Sequence, residues 1–310
     1  MQQDTMGTLE WALLIVLSLL WGGSFFFAKV ALDVVPPFTL VLCRVTLASA
    51  ALFFFTKVTG GKIPWTNSAW AAFASMGILN NLIPFALIFY GQTQIGASLA
   101  SILNATTPVF TVIVAHFLTS NERATPSKVA GAALGVAGVV LLIGFDALKG
   151  QSLAVLGMMG CLGAALSYAF AAIYGRRFQR MKVEPVTVAF GQVTATMVMV
   201  APAALVIDTP WLLATPGTGA LLSIFALGLL STALAYVIFF FLLARSGATN
   251  ITLVTFLIPI SGIFLGIVVL GEHLFWNHIA GLIVITLGLA AIDGRFWKWT
   301  RQKTHRFPPN

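Results

Sequence analysis

Charge is what this sequence has least of. Asp, Glu, Lys and Arg together make up 8% of its 310 residues, against 59% apolar residues and a mean hydropathy of +0.96. A water-soluble domain carries roughly a quarter of its residues as charges, because its surface must be solvated, so a soluble fold is excluded and most of the surface must meet lipid. Cysteine is nearly absent too. Cys43 and Cys161 each fall inside an apolar run, where a thiol acts as a small hydrophobe, so neither a disulfide framework nor a cysteine metal site is expected. The nine acidic residues all lie in connections, termini or the ends of apolar runs. That leaves no carboxylate at membrane depth, the group that proton-driven and cationic-drug pumps commonly use for coupling. His116, His273, His278 and His305 are scattered, with no H-E-x-x-H, G-x-S-x-G or G-x-x-x-x-G-K-[ST]. The chain is read as no enzyme, with no cofactor and no metal.

What is present is a succession of apolar runs. A helix needs about 20 mostly apolar residues to cross the hydrocarbon layer. Ten such runs emerge, at 9–32, 38–58, 68–91, 96–118, 128–145, 153–178, 186–207, 218–244, 249–270 and 275–292, separated by breakers such as Pro36, Pro37, Pro64, Pro126 and Pro210. The fold class expected is therefore an all-α membrane protein of ten transmembrane helices. Residues 1–10 contain no Lys or Arg and no small-residue cleavage site follows, so the first run is read as a retained span.

The net charge of +8 and pI near 9.9 do not point to nucleic acid, because the basic residues are dispersed between the runs. With ten spans and a cytoplasmic N-terminus, every one of the 17 Lys and Arg except Lys29, Arg44 and Lys149 falls on the cytoplasmic side. That asymmetry places both termini in the cytoplasm.

The two halves resemble each other. A shift of 151 places lays Gly77, Leu79, Phe89, Gly96, Ala97 and Pro108 on Gly228, Leu230, Phe240, Gly247, Ala248 and Pro259, and one residue later Glu122 falls opposite Glu272. Residues 1–148 and 149–310 then form two five-helix repeats. An odd number of spans turns the second upside down, and such inverted repeats place a substrate site at their interface near the midplane.

Polar side chains at membrane depth are costly unless they face a cavity or a partner. Asn80 and Asn81 lie at the middle of the third run, and Ser231 and Thr232 are their equivalents in the eighth. Asn104 precedes Pro108, and Pro108 and Pro259 are candidate helix breaks at the midplane. These residues either line a substrate cavity or join helices as interhelical hydrogen bonds. Trp21, Phe85, Tyr168 and Tyr236 are the aromatic candidates, ordinary helix packing being the alternative for each. Lys29 and Arg44 lie toward the outer ends of the first two spans, where a long cation can snorkel to the headgroups. Alternatively, Arg44 meets a substrate carboxylate, or closes a gate with Asp33. Gly131, Gly135, Gly157, Gly160 and Gly163 permit close helix approach; packing within one chain is the reading taken over a dimer, so a monomer is expected.

Trp21-Gly22-Gly23-Ser24-Phe25, Arg44, Pro108 followed by Glu122, and Pro259 followed by Gly271-Glu272 resemble, in that order, the EamA branch of the drug/metabolite transporter superfamily. The resemblance covers essentially the whole chain. Within the branch it is nearest to bacterial exporters of the YddG type, which carry aromatic and other neutral amino acids outward. Gly23-Ser24-Phe25 departs from the Ser-Asn-Phe of many relatives, so no Asn role in the first span is carried over. The resemblance implies export of a small molecule across a bacterial inner membrane by alternating access. Its partners would be a small-molecule substrate and the lipid bilayer, without nucleic acid. The two shallow cations argue against phosphorylated substrates, and the amide- and aromatic-rich middle suits a neutral or zwitterionic one.

Overall fold

The computed structural model describes residues 6–119, 125–144 and 153–293, and these are helical throughout, with no strand among them. Glu122, Lys149, the boundary between residues 148 and 149 and the basic stretch after residue 293 lie outside the described residues. Among the described residues, nine helices are long and apolar enough to cross a membrane: α1 (Thr8–Leu32), α2 (Pro37–Val58), α3 (Asn67–Gln92), α4 (Ala97–Leu118), α5 (Pro126–Ile143), α6 (Leu153–Arg180), α7 (Pro185–Asp208), α8 (Thr218–Gly247) and α10 (Trp276–Asp293). A shorter apolar helix, α9 (Val254–Val268), lies between the last two. Each sits on one of the expected runs. Starts follow local chemistry: Pro37, Pro126 and Pro185 occupy first-turn positions whose N–H would be unpaired anyway. Thr66 and Thr125 accept the N–H of Ala69 and Lys128.

Exposed faces are as apolar as buried ones, with Leu19, Phe54, Leu156, Val198, Leu222, Phe264 and Leu287 on the outside. Water cannot solvate such a surface, and lipid can. Where helices meet, glycine lets backbones approach. A Cβ on Gly131 of α5 would lie 2.5 Å from the Gly288 carbonyl of α10, and one on Gly91 of α3 would lie 2.7 Å from the Gly157 carbonyl of α6. Between α2 and α7 an aromatic contact, Phe53 with Phe190, accompanies a polar one, Ser49 and Thr194 sharing a hydrogen bond of 2.7 Å.

The end of the bundle holding the 33–36 and 93–96 connections is tied by charged side chains. Asp208 at the end of α7 accepts the Thr39 N–H in the first turn of α2 at 2.6 Å. Glu272, after α9, accepts the N–H groups of Ala97 and Ser98 at the start of α4 at 2.6 and 2.8 Å. Both carboxylates satisfy helix-start donors that have no partner within their own helix. Lys29 is tied to the same end of the bundle. Its Nζ donates to the Gln92 carbonyl at the end of α3 and to the Ile95 carbonyl just beyond, at 2.8 and 3.4 Å, where helix-end carbonyls carry the negative end of the dipole. At the opposite end, Glu10 pairs with Arg245 at 3.0 Å.

Three features depart from the expected regular spans. The middle of α3, Ile78–Leu82, and a longer stretch of α8, Ala226–Leu234, are wound as π-helix. α4 is interrupted after Asn104 and resumes at Thr107, with Pro108 in the first turn of the second segment. Pro259 does not break its helix, contrary to expectation: α9 runs through it, and the interruption lies earlier, at Thr252 and Leu253. A proline removes one ladder bond but its φ is already helical. The following turn is held by Ser261, which donates to the Ser18 carbonyl of α1 at 2.8 Å.

Candidate functional site

The polar side chains collect where the π-wound middle of α3 is bonded to the part of α8 that follows its own π-wound stretch. π-bulges widen a helix by one residue per turn and recur at functional sites because they release backbone groups and re-aim side chains. In α8 the widened turn is closed by Thr232, whose hydroxyl donates to the Leu227 carbonyl at 2.7 Å. In α3 the Leu79 carbonyl takes a hydrogen bond from Ser167 of α6 at 2.7 Å.

Asn80 and Asn81 come to Tyr236, one turn beyond Thr232. Asn80 Nδ2 donates to the Tyr236 hydroxyl at 3.2 Å and to Gln192 Oε1 of α7 at 3.0 Å. Tyr236 donates in turn to Asn81 Oδ1 at 2.9 Å. Asn81 is wholly buried, and its Nδ2 has no partner among the described residues. Ser231, 1% exposed, likewise keeps an unpartnered hydroxyl. A buried polar group without a partner is costly, and each of these two can be satisfied by a ligand or a water.

Arg44 closes the circuit. It is 6% exposed, and its Nε donates to Thr232 Oγ1 at 2.8 Å. The guanidinium carbon sits 3.8 Å from the centre of the Phe85 ring, and Phe85 is one turn from Asn81. The snorkelling reading is therefore corrected: the cation faces inward, where a hydroxyl and an aromatic face receive it. In this conformation Asp33 is exposed and forms no ion pair with Arg44.

Of the sequence candidates, the structure thus joins Arg44, Asn80, Asn81, Phe85, Thr232 and Tyr236, with Ser231 next to Thr232 in sequence, while Tyr168 of α6 packs partly buried against the apolar core and makes none of these hydrogen bonds. Trp21 packs against Phe239 at 5.5 Å between ring centres, outside the hydrogen-bonded set. Asn104 carries an unpartnered buried Oδ1 and makes no hydrogen bond to the set. Sequence reasoning missed Gln192, which is 1% exposed and brings α7 into the network. Its signal was the one used for Asn80: a lone amide inside an apolar run. No group of three or more His, Cys, Asp or Glu among the described residues could hold a metal.

A bundle of lipid-facing helices with a buried polar cluster halfway along two of them defines a multi-pass membrane protein of the transporter class. The EamA-like transporter family model matches residues 9–144 and again 155–292, and the chain belongs to that family. It is 30% identical over 294 residues to a probable amino-acid metabolite efflux pump of Salmonella typhimurium, covering 90% of this chain and 92% of the relative. The identity to the Escherichia coli protein of the same description is 29% over 286 residues, with 90% and 92% covered. An uncharacterized Bacillus subtilis transporter, YoaV, is 24% identical over 281 residues, 89% of this chain and 94% of that one. A solved crystal structure shares the fold with a TM-score of 0.65, at 22% identity over 91% of this chain and 96% of its own.

Proposed function

We propose that this protein exports small neutral or zwitterionic metabolites, amino acids including aromatic ones among them, across a bacterial inner membrane by alternating access and down the substrate's own gradient. The observation that carries the reading is the cluster that joins α2 and α3 to α7 and α8 through Arg44, Asn80, Asn81, Gln192, Thr232 and Tyr236, with two polar groups still unpartnered. Ten spans in two inverted repeats with cytoplasmic termini complete the reading. In support, the family model matches twice, once in each half. The π-wound stretches of α3 and α8 also coincide when the sequence is shifted by 151 places. Described acidic side chains stand at helix ends, which fits transport without a proton-binding carboxylate in the path. The amino-acid assignment follows the printed descriptions of the Salmonella and Escherichia proteins. The protein is proposed to act as a monomer.

Counterflow in proteoliposomes, with a panel of labelled amino acids and no imposed ion gradient, tests substrate class and coupling together. Exchange is expected without a proton gradient. Asn80→Ala and Asn81→Ala, singly and together, should lower apparent affinity by up to roughly tenfold at unchanged protein levels, since one hydrogen bond is worth about 0.5–1.5 kcal/mol. Unchanged kinetics in all three variants would reduce these amides to interhelical hydrogen bonds.

A further inference from the structure

The Arg44 guanidinium is a buried cation without a counter-ion among the described residues. Its Nε is engaged by Thr232 and one face is covered by Phe85, while its terminal nitrogens make no hydrogen bond or ion pair there. The described carboxylates that could reach inward are held elsewhere: Asp208 on Thr39, Glu272 on Ala97 and Ser98, Glu10 on Arg245. Asn81 Nδ2, one turn from Phe85, is a donor without an acceptor, and the Ser231 hydroxyl can serve as either.

A desolvated, unpaired cation is costly, and the cost falls when an anion with acceptor oxygens arrives. A planar guanidinium fork matches a carboxylate. An ammonium group, by contrast, meets an unbalanced positive charge and no carboxylate in this cluster. Resting on the transporter reading above, we infer that the carboxylate is the group this site requires, and that the substrate's amine is dispensable. The substrate class widens from amino acids to small monocarboxylates with an apolar or aromatic body, including deaminated or N-acylated ones. Arg44 is the residue that sets this specificity.

Two matched trios test it on the full-length protein in nanodiscs, by direct calorimetric binding and by competition in counterflow. One trio is phenylalanine, 3-phenylpropanoate and phenethylamine; the other is leucine, 4-methylpentanoate and 3-methylbutylamine. In at least one trio the carboxylate without an amine should bind as tightly as the amino acid or tighter, and the amine without a carboxylate about tenfold or more weakly. Arg44→Gln should abolish the preference for the carboxylate. Arg44→Lys, which keeps the charge but loses the fork, should weaken carboxylate binding about tenfold while remaining folded by thermal melting. Amines binding as well as carboxylates, no binding of either carboxylate, or an amino acid binding far more tightly than its deaminated partner would overturn the inference. Binding of the carboxylates with no amino-acid exchange in counterflow would instead overturn the amino-acid reading and leave this one standing.

Discussion

Gly22→Ala is expected to lower the stability of the folded protein by about 1–3 kcal/mol, while Gly23→Ala, one residue on, leaves it unchanged or slightly raised. The two glycines look alike in the sequence but face different neighbours. A Cβ on Gly22 would lie 2.7 Å from the Ile258 carbonyl and 2.9 Å from the Gly262 nitrogen of α9, and would also run into the Ser261 hydroxyl. Two of these are backbone atoms, which cannot swing aside, so α1 and α9 must separate and the Ser261 to Ser18 hydrogen bond must stretch. In lipid no hydrophobic force draws the helices back, because tails are as apolar as side chains, and close contact is most of what holds them. A Cβ on Gly23 meets only ordinary contacts, the nearest being Phe27 Cε2 at 3.5 Å and Leu265 Cδ1 at 3.7 Å. There the helix-forming advantage of Ala over Gly, about 1 kcal/mol, is free to appear. Thermal unfolding of the two purified variants in one detergent decides the matter. Equal melting temperatures would show that α1 and α9 do not pack as described.

Glu272→Ala is expected to raise amide exchange at Ala97 and Ser98 by roughly one to two orders of magnitude. The side chain accepts both N–H groups with a full charge, and charge-assisted hydrogen bonds contribute about 1.5–3 kcal/mol, with about 1.4 kcal/mol equal to a factor of ten. Its loss leaves the first turn of α4 without its acceptors and detaches the end of α9 from the start of α4. Local opening free energy should fall accordingly, which hydrogen exchange over residues 93–104 reads directly. Glu272→Gln, still an acceptor but uncharged, should fall between the two. If alternating access opens this end of the bundle, the same variant should also raise the reactivity of a cysteine placed in the 93–96 connection. Unchanged exchange in both variants would mean that the contact carries no energy.

Most of the fold was legible, because the physics that dictates it is crude. A run of twenty apolar residues in a chain with so little charge has no use but to sit in lipid, and Gly, Pro and charged residues mark its ends. What one helix shows another was not legible. Arg44 lies seven residues inside α2, a depth from which a long side chain could reach the headgroups or turn inward; only the rotation of α2 against α3 and α8, which brings Phe85 and Thr232 beneath it, decides. The π-winding at Ile78–Leu82 and Ala226–Leu234 has no composition signal, yet it orients Asn81 and Thr232. Pro259 was overread because proline removes only one ladder hydrogen bond and its φ is already helical, so α9 runs on through it. Gln192 was overlooked although the rule that singled out Asn80 applies to it equally.

The central claim is that the cluster between α3 and α8 is the substrate's resting place rather than a structural joint. Ser231→Cys tests it most directly, since the substitution is nearly isosteric and the native hydroxyl has no partner to lose among the described residues. In the otherwise cysteine-free protein, the introduced thiol should react with a small, membrane-impermeant thiol reagent applied from either side, more slowly than a surface cysteine, and a transported amino acid should protect it in proportion to its occupancy. Reaction from neither side, or a rate that saturating substrate leaves unchanged while counterflow still proceeds, would contradict the account and move the substrate path elsewhere in the bundle.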